Sequence, residues 1–470
     1  MDGPVRAAAS AATDAAAALL DALVGHGVGD IVLSPGSRSQ SLALVAAALE
    51  RAGRVRLHVR IDERVAGFTA VGLARETGMP AAVVCTSGTA AANLFPAALE
   101  AHHAGVPLLL LTADRPPELR GVGANQTTRQ PGMFAPQVRF EADLPVPDET
   151  DATGTRPQTA MLRRLAAEAV AAARGGGILP AGPVHLNLPY REPLAGELPG
   201  WFALGTPAVE PADPEPGEPS VLALGPRTVV VAGADAGDRA EQVAFEGGWP
   251  LIAEIVSGAR FGRQSVRAYR TVLREPALGG RVERAVVFGH PTLSREVTAL
   301  LSRVEVEIVA VSGPGEPLNL NGATRTVSAV AVGEGDPDRA WLQAWLRAGH
   351  EASIDLAPPA PDLHGLFSTE RHDRLDAVAA ELAAVRQPID RAVLVDSVWR
   401  ATWPHDRLML GSSRLVRVAD DVLAGMQVPV HANRGLAGID GTIATAAGIS
   451  LASQAEGRPG VTRVLLGDLT

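Results

Sequence analysis

The sequence predicts an α/β protein made of three consecutive domains, each built around a parallel β-sheet. Its 470 residues are enough for about three domains of ordinary size. Short runs of Val, Leu and Ile alternate with Ala- and Leu-rich helical runs along the whole chain. Strands that are apolar on both faces and alternate with helices are typical of parallel sheets covered by helices on both sides.

The first domain, predicted for residues 1–195, shows the clearest alternation. An Ala-rich first helix precedes strands that read DIVL, RLHV, AAVVC and VPLLLLTAD. The helices between these strands read SLALVAAALERAG, ERVAGFTAVGLARETG and AANLFPAALEAHHAG. Gly78 is expected to end the second of these helices as a C-cap. The segment GPVHLNLPYREPL closes the domain.

Two proline-rich segments divide the rest of the chain. Residues 207–220 read PAVEPADPEPGEPS and predict a linker, and residues 356–363 read LAPPAPDL and predict a second break. The second domain is therefore predicted for residues 196–360, with strands in TVVVAG, PLIAEIV, RAVVFG and VEIVAV. The third, for residues 361–470, starts with a helix near 372–386. It ends shortly after the strand in TRVLLGDLT, so we expect this domain to be truncated.

The composition excludes several classes of function. A net charge of −10 argues against non-specific nucleic-acid binding, and no apolar run reaches the roughly 20 residues that span a bilayer. The N-terminal segment lacks the pattern of a secretory signal, which predicts a cytoplasmic protein. The single cysteine, Cys85, excludes a disulfide framework and multi-cysteine metal sites. All 42 Lys and Arg residues are arginines, which excludes a Schiff-base lysine and an ordinary P-loop lysine.

Polar and glycine-rich loops follow several predicted strands, at the position where parallel α/β sheets bind ligands. SPGSRSQ places Ser37 and Arg38 after the first strand, and an arginine can bind a carboxylate or phosphate through two hydrogen bonds. TSGTAAANL places Ser87 and Gly88 at a helix N-terminus, a setting that favours anions. The alternative for each loop is a capped turn or a solvated connection.

Three further loops have the same character. They read TADRPPELRGVGANQTTRQ, GSSRLVRVAD and HANRGLAGIDGTIATAAG, and they carry Asn125, Gln126, Ser413, Arg417 and Arg434. The small residues of the last loop would let the backbone pack closely on a flat ligand. The segment TVVVAGADAG at 228–237 is similar to a dinucleotide-binding turn. It lacks the GxGxxG spacing, so nucleotide binding there is the weaker interpretation.

The chain resembles the thiamine-diphosphate-dependent enzymes in an ordered series of motifs. These read SPGSRS, IDER, TSGTA, TADRPPELRGVGANQ, ANRGLAGIDGT and LLGDL. Within this family the chain is similar to the synthases of menaquinone biosynthesis, which decarboxylate 2-oxoglutarate and add the succinyl-semialdehyde carbanion to isochorismate. The resemblance spans all three predicted domains and is faint in the middle one. It implies the three-domain fold of thiamine-diphosphate enzymes.

The resemblance assigns roles to individual residues. Glu63 matches the glutamate that hydrogen-bonds the aminopyrimidine ring of thiamine diphosphate and favours the imino tautomer that deprotonates the thiazolium carbon. Taken alone, an acid here would indicate a helix N-terminus. The other implied cofactor contacts are Ser87, Gly88, Ile439, Gly467 and Asp468. The implied contacts with the two dianionic substrates are Ser37, Arg38, Asn125, Gln126, Arg295, Ser413, Arg417 and Arg434.

The resemblance also implies a metal ion and a subunit arrangement. Asp468 matches the first ligand of the ion that holds the diphosphate, which is Mg²⁺, or Mn²⁺ in its place. The family's further metal ligands lie beyond the position that matches Thr470. The family forms its active sites between subunits. Because the predicted helix 63–76 is apolar on every face, we expect a second subunit to cover it, in a homodimer or homotetramer with Glu63 at the interface.

Other functions remain open on the sequence. An acetolactate-synthase-like carboligase or a 2-oxo acid decarboxylase would share Glu63 and Asp468 without needing this set of arginines. A catalytically inactive binding or regulatory chain is consistent with a truncated third domain. A nicotinamide oxidoreductase built on the 228–237 turn is disfavoured by the incomplete glycine pattern.

Overall fold

The computed structural model describes residues 10–148, 158–176, 180–204, 218–313, 315–357 and 360–470. The strand pairs in its sheets are parallel, and helices connect most of them, which confirms the predicted α/β class. Each sheet lies within one of the three predicted ranges, whose boundaries stay predictions. Most of the linker predicted at 207–220 lies outside the described residues.

The first unit has a six-stranded sheet in the order β2-β1-β3-β4-β6-β5. Its strands are β1 (Asp30–Leu33), β2 (Arg56–Val59), β3 (Ala81–Cys85), β4 (Leu108–Asp114), β5 (Phe140–Asp143) and β6 (Pro183–Pro189). Its helices are α1 (Ala11–Gly25), α2 (Gln40–Arg51), α3 (Glu63–Thr77), α4 (Thr89–Asn93), α5 (Phe95–Ala104) and α6 (Gln158–Arg174). Every residue of β1, β3, β4 and β6 is buried, as their apolar sequences predict.

The central unit has a five-stranded sheet in the order β12-β11-β10-β8-β9, with a separate pair of β13 and β7. Its strands are β7 (Ser220–Leu222), β8 (Thr228–Ala232), β9 (Leu251–Ala253), β10 (Arg284–Phe288), β11 (Glu307–Val311), β12 (Arg325–Val327) and β13 (Val330–Val332). Its helices are α7 (Arg239–Gly247), α8 (Tyr269–Arg274), α9 (Arg295–Leu301) and α10 (Arg339–Glu351). Trp341 and Trp345 of α10 pack edge to face in its core.

The third unit has a three-stranded sheet in the order β15-β14-β16. Its strands are β14 (Arg407–Leu410), β15 (Val430–His431) and β16 (Thr462–Leu465). Its helices are α11 (Leu363–Leu366), α12 (Arg371–Val385), α13 (Arg391–Arg400), α14 (Arg414–Val422) and α15 (Thr442–Ser453). The helix predicted near 372–386 is therefore confirmed as α12.

Helices α3 and α15 form a tight crossing between the first and third units. A Cβ atom at Gly72 would lie 2.0 Å from the carbonyl oxygen of Thr445, and one at Gly448 would lie 2.1 Å from that of Thr69. Glycines at both positions let the two backbones touch. The structure thus covers the apolar helix α3 within the same chain. The argument that α3 needs a second subunit to cover it is therefore wrong, whereas the dimer itself stays a prediction.

Among the described residues, no helix is both long enough and apolar enough to cross a membrane.

Candidate active site

The carboxyl ends of β1, β3 and β4 bring the predicted loops of the first unit together. Arg38, after β1, donates from Nη1 to the carbonyl oxygen of Tyr190 at 3.0 Å. Burial lowers the pKa of Arg38, and the nearby Arg115 adds to this shift. The Nε of Arg38 is buried without a hydrogen-bond partner among the described residues. A buried donor of this kind is available to an anionic ligand.

Ser87 and Gln126 lie in direct contact. The Ser87 hydroxyl donates to the Gln126 carbonyl oxygen at 2.9 Å and accepts from Nη1 of Arg115 at 2.9 Å. The Gln126 side chain donates back to the carbonyl oxygen of Ser87 at 3.1 Å. Gly88 has a φ of 82°, and a Cβ there would lie 3.1 Å from Cγ of Gln126, so the turn requires glycine. Ser37 and Asn125 are exposed at the edge of this group.

A buried network of hydrogen bonds holds the loops after β3 and β4 in place. Asn187 donates to Asp114 at 2.9 Å, and Gln130 donates to Asn187 at 2.8 Å. Gln130 accepts in turn from the backbone amide of Gly88 at 3.0 Å. Asp114, Gln130 and Asn187 are fully buried and each has a partner, so the network holds the turn after β3 rigidly.

Glu63 is the first residue of α3. Asp62 caps this helix by accepting from the Val65 amide at 2.9 Å. The Glu63 side chain is half-buried and makes no hydrogen bond or ion pair within the described part of the chain. Glu63 lies near Cys85. Burial raises the pKa of the Cys85 thiol, and the charge of the nearby Glu63 adds to this shift. The carboxylate is therefore free to accept a hydrogen bond from a ligand.

The third unit carries the loops predicted to hold the diphosphate. Ser413 caps α14 by accepting from the Leu415 amide at 3.1 Å. A Cβ at Gly467 would lie 2.9 Å from Cβ of Ser413, so glycine allows the two turns to touch. Asp468 and Ile439 are exposed, with Asp468 three residues after the end of β16 and Ile439 shortly before α15.

Arg434 is the most buried of the predicted arginines, at 8% exposure. Its Nη2 donates to the carbonyl and hydroxyl oxygens of Thr292, at 3.0 and 2.8 Å. Burial lowers the pKa of Arg434, Glu254 opposes this shift, and the nearby Arg417 adds to it. The Nε of Arg434 is buried and lacks a hydrogen-bond partner in the described structure. Two neighbouring guanidinium groups with a free donor favour an anion.

The structure brings the predicted residues together in two groups. One contains Arg38, Ser87, Gly88 and Gln126 in the first unit. The other contains Arg434 and Arg417 in the third unit, with the turn at Thr292 that leads to the exposed Arg295. Within the described residues, no hydrogen bond or ion pair joins Glu63 to Asp468, Gly467 or Ile439.

The turn similar to a dinucleotide-binding loop is closed by its neighbours. Ala234 and His290 exchange backbone hydrogen bonds at 3.1 and 2.8 Å, which pairs the loop after β8 with the loop after β10. A Cβ at Gly233 would lie 2.1 Å from the backbone nitrogen of Pro291. In a sheet of this order, nucleotides bind between these two strands. The packed loops therefore argue against a nucleotide there.

The donor set fits a magnesium ion that is held mainly by phosphate. The described residues contain no group of three or more His, Cys, Asp or Glu side chains that could hold a metal. Mg²⁺ commonly takes one or two carboxylates and completes its shell with phosphate oxygens and water. The exposed Asp468 can supply one such carboxylate beside Gly467. The free carboxylate of Glu63 fits the predicted pyrimidine contact.

Several residues that support the site were not predicted. Glu254 is fully buried at the carboxyl end of β9, and Asp420 is buried on α14. Glu100 of α5 accepts from the amides of Gly435 and Leu436, both at 2.9 Å, and so holds the loop after Arg434. Glu254 is the one acid in the predicted strand segment PLIAEIV, which was a usable signal, whereas the contacts of Glu100 span more than 300 residues of sequence.

Comparisons with known proteins cover nearly the whole chain. The sequence model of the thiamine pyrophosphate enzyme N-terminal TPP binding domain matches residues 13–133. The 2-succinyl-5-enolpyruvyl-6-hydroxy-3-cyclohexene-1-carboxylate synthase of Leifsonia xyli subsp. xyli is 54% identical over 480 residues, covering 97% of this chain and 80% of that protein. The synthase of the same name from Clavibacter michiganensis subsp. michiganensis is 51% identical with the same coverage. That from Mycobacterium avium is 39% identical, covering 97% of this chain and 79% of its own length.

Proposed function

The chain belongs to the family of 2-succinyl-5-enolpyruvyl-6-hydroxy-3-cyclohexene-1-carboxylate synthases, and we propose that its two groups of loops form the cofactor and substrate sites of that reaction. It is a thiamine-diphosphate-dependent transferase of menaquinone biosynthesis. Its substrates are 2-oxoglutarate, which is decarboxylated, and isochorismate, to which the succinyl-semialdehyde unit is added. The cytoplasmic location stays a prediction.

Glu63 accepts the hydrogen bond from the aminopyrimidine ring in this proposal. When bound, thiamine diphosphate supplies the carbanion that attacks the 2-oxo acid. The protein's part is to hold the Glu63 side chain at the ring nitrogen, and this side chain has no competing partner among the described residues. Ser87 and Gly88 line the same turn, which the Asn187 network keeps rigid.

The arginines recognise the substrate carboxylates. Arg434 and Arg417 are close enough to repel each other, so a carboxylate placed between them removes an unfavourable interaction and gains charge-assisted hydrogen bonds. Arg295 begins α9 immediately after the turn that holds Arg434. Arg38 offers its free Nε from the first unit. Ser37, Asn125, Gln126 and Ser413 supply neutral donors at the rims of the two groups.

Asp468 would hold Mg²⁺, or Mn²⁺ in its place, and the metal would neutralise the charge of the diphosphate. Gly467 would let the backbone approach the phosphates, and Ile439 would contact the cofactor. The support for this arrangement is an exposed carboxylate after β16, beside a turn whose glycine touches the Ser413 turn.

A homodimer, or a homotetramer built from it, completes the site. Ile61 and Val65 on either side of Glu63 are exposed at 82% and 37%. In the third unit Leu436, Ile439 and Ile443 are exposed at 53%, 39% and 58%. Apolar residues around both half-sites are expected where a second chain covers them. In the proposed dimer, Glu63 of one chain serves cofactor held by the third unit of the other.

The observation that carries this proposal is the buried Arg434, with its free Nε and its neighbour Arg417. The test is a steady-state assay with thiamine diphosphate and Mg²⁺, in which isochorismate consumption is followed with 2-oxoglutarate or pyruvate as donor. We expect turnover with 2-oxoglutarate and little with pyruvate. Efficient use of pyruvate would instead favour the acetolactate-synthase-like alternative.

A further inference from the structure

Glu254 is a buried carboxylate with no proposed contact to the cofactor or to either substrate. It follows β9 directly and is fully buried in the central unit. Its Oε1 accepts from the backbone amides of Leu293 and Ser294 at 2.9 and 3.1 Å, and its Oε2 accepts from the amide of Thr292 at 3.3 Å. One side chain thus accepts from three consecutive amides, and the contacts with Leu293 and Ser294 are buried.

The turn that Glu254 holds is the turn that holds Arg434. The carbonyl and hydroxyl oxygens of Thr292 both accept from Nη2 of Arg434. The same turn ends at Ser294, which caps α9 by accepting from the Val297 amide, and Arg295 is the first residue of that helix. Displacing this turn would move two of the proposed substrate arginines together.

Ile255, the residue after Glu254, anchors helix α14, which carries Arg417. The backbone amide of Ile255 donates to Asp420 of α14 at 2.9 Å. Arg260 and the Tyr269 hydroxyl also donate to Asp420, at 3.1 and 2.6 Å. Asp420 lies three residues after Arg417, on the same helix. The end of β9 is therefore a common support for the arginine group.

We propose that Glu254 is a positioning residue for substrate binding, which acts by fixing the Thr292–Ser294 turn and through it Arg434 and Arg295. This inference rests on the proposed function of those arginines. Glu254 touches neither substrate nor cofactor in this scheme, so its loss should affect substrate affinity more than cofactor affinity. The burial that raises its pKa is consistent with a side chain enclosed by the turn.

Two variants of Glu254 separate its roles. Glu254→Leu keeps the approximate volume and removes every acceptor, whereas Glu254→Gln keeps one acceptor oxygen for the amides of Leu293 and Ser294. Thr292→Val removes the hydroxyl that accepts from Arg434, at an exposed position where folding is not at risk. The matched control is Glu283→Gln, which removes an exposed central-unit carboxylate that pairs with Arg227.

The experiment measures three quantities for each variant: the KM of both substrates, the Kd of thiamine diphosphate, and hydrogen exchange of the amides at 292–294. We expect Glu254→Leu to expose these amides to exchange. Glu254→Leu and Thr292→Val should each raise the KM of a substrate about tenfold, with the cofactor Kd within twofold of wild type. Glu254→Gln should restore most of the affinity, and the control should match wild type.

Unchanged amide protection in Glu254→Leu, or an unchanged KM in both Thr292→Val and Glu254→Leu, would overturn the positioning role. If Glu254→Leu does not fold, the other two variants decide whether Glu254 positions the turn. Thr292→Val must then raise the KM of a substrate. Glu254→Gln must speed hydrogen exchange of the Thr292 amide, because glutamine replaces the Oε2 that accepts from this amide. A wild type that uses neither substrate would refute the proposed function, and the exchange data would still decide whether Glu254 holds the turn.

Discussion

Replacing Gly448 by alanine is expected to loosen the crossing of α3 and α15. The new Cβ would lie 2.1 Å from the carbonyl oxygen of Thr69 and 2.8 Å from the amide nitrogen of Leu73. Ordinary contact begins near 3.4 Å, so the helices must separate by about 1.3 Å. Both neighbouring atoms belong to backbone, which cannot rotate out of the way as a side chain can.

Two effects of opposite sign decide the size of the change. Alanine is more favourable than glycine inside a helix by about 0.8–1.0 kcal/mol. Overpacking a closely packed contact costs about 1–3 kcal/mol, and a clash with two backbone atoms belongs at the upper end of that range. The net destabilisation should therefore be about 1–2 kcal/mol. For units of this size it would lower Tm by about 2–8 °C.

Thermal unfolding of Gly448→Ala, Gly72→Ala and the double variant tests this reasoning. The control is Gly29→Ala, where a Cβ would meet nothing within 4 Å. The double variant should lose less stability than the sum of the single changes, because helices that have separated for one methyl group also make room for the other. A Tm equal to or above that of wild type in both single variants would contradict the close backbone contact.

Four further predictions concern the site. Glu63→Gln should lower kcat by about 10²–10⁴ without changing Tm, because the ring contact loses its charge; activity within threefold of wild type would reject the role. Arg434→Ala should raise substrate KM about ten- to a hundredfold with cofactor Kd unchanged, since it loses charge-assisted hydrogen bonds; a change confined to cofactor Kd would reverse the assignment. Removing divalent metal with a chelator should abolish turnover, and added Mg²⁺ should restore it; full activity of metal-free protein would exclude the role of Asp468. Burial and Asp420 raise the pKa of Glu254 from 4.5 to about 8, so its stabilising contribution is present below pH 4.5 and is lost as pH rises through 8. Wild-type Tm should therefore fall more than that of Glu254→Gln between pH 6 and 9, and parallel curves would contradict the shift.

Much of the first unit follows from local sequence. The strands β1, β3 and β4 are continuous apolar runs bounded by glycine or polar turns, and each is buried as predicted. Helix α3 begins at Glu63 and ends at Thr77, and the φ of 70° at Gly78 is the left-handed conformation expected of a C-cap glycine. These features depend on neighbours within a few residues, so the sequence pattern contains the necessary information.

Strands that were not predicted have weak local signals. The edge strand β5 reads FEAD and is half-exposed, so it lacks an apolar run. β7 and β13 have three residues each and are stable because they pair with each other, although they lie more than 100 residues apart. Pairing of this kind is a tertiary property that a window of sequence cannot contain.

The geometry of the site depends on long-range contacts in the same way. Arg417 and Arg434 were expected at one site because of the family resemblance. Their common support at the end of β9 involves Glu254, whose partners are about 40 residues away, and Ile255, whose partner Asp420 is 165 residues away. An acid within an apolar run is visible in the sequence, but its role requires knowing which amides surround it.

Helix α3 explains how distant parts of the chain set the position of Glu63. Near the other end of the helix, Arg75 binds Asp235 of the central unit at 2.7 Å, and Glu76 binds Arg407 of the third unit at 2.7 Å. The α15 crossing at Gly72 lies nine residues from Glu63, or about 14 Å along the helix axis at 1.5 Å per residue. Because a helix is stiff over this length, a shift or tilt at these anchors is transmitted to the carboxylate. An alanine at the crossing should therefore weaken thiamine diphosphate binding as well as stability, although it touches no part of the cofactor site.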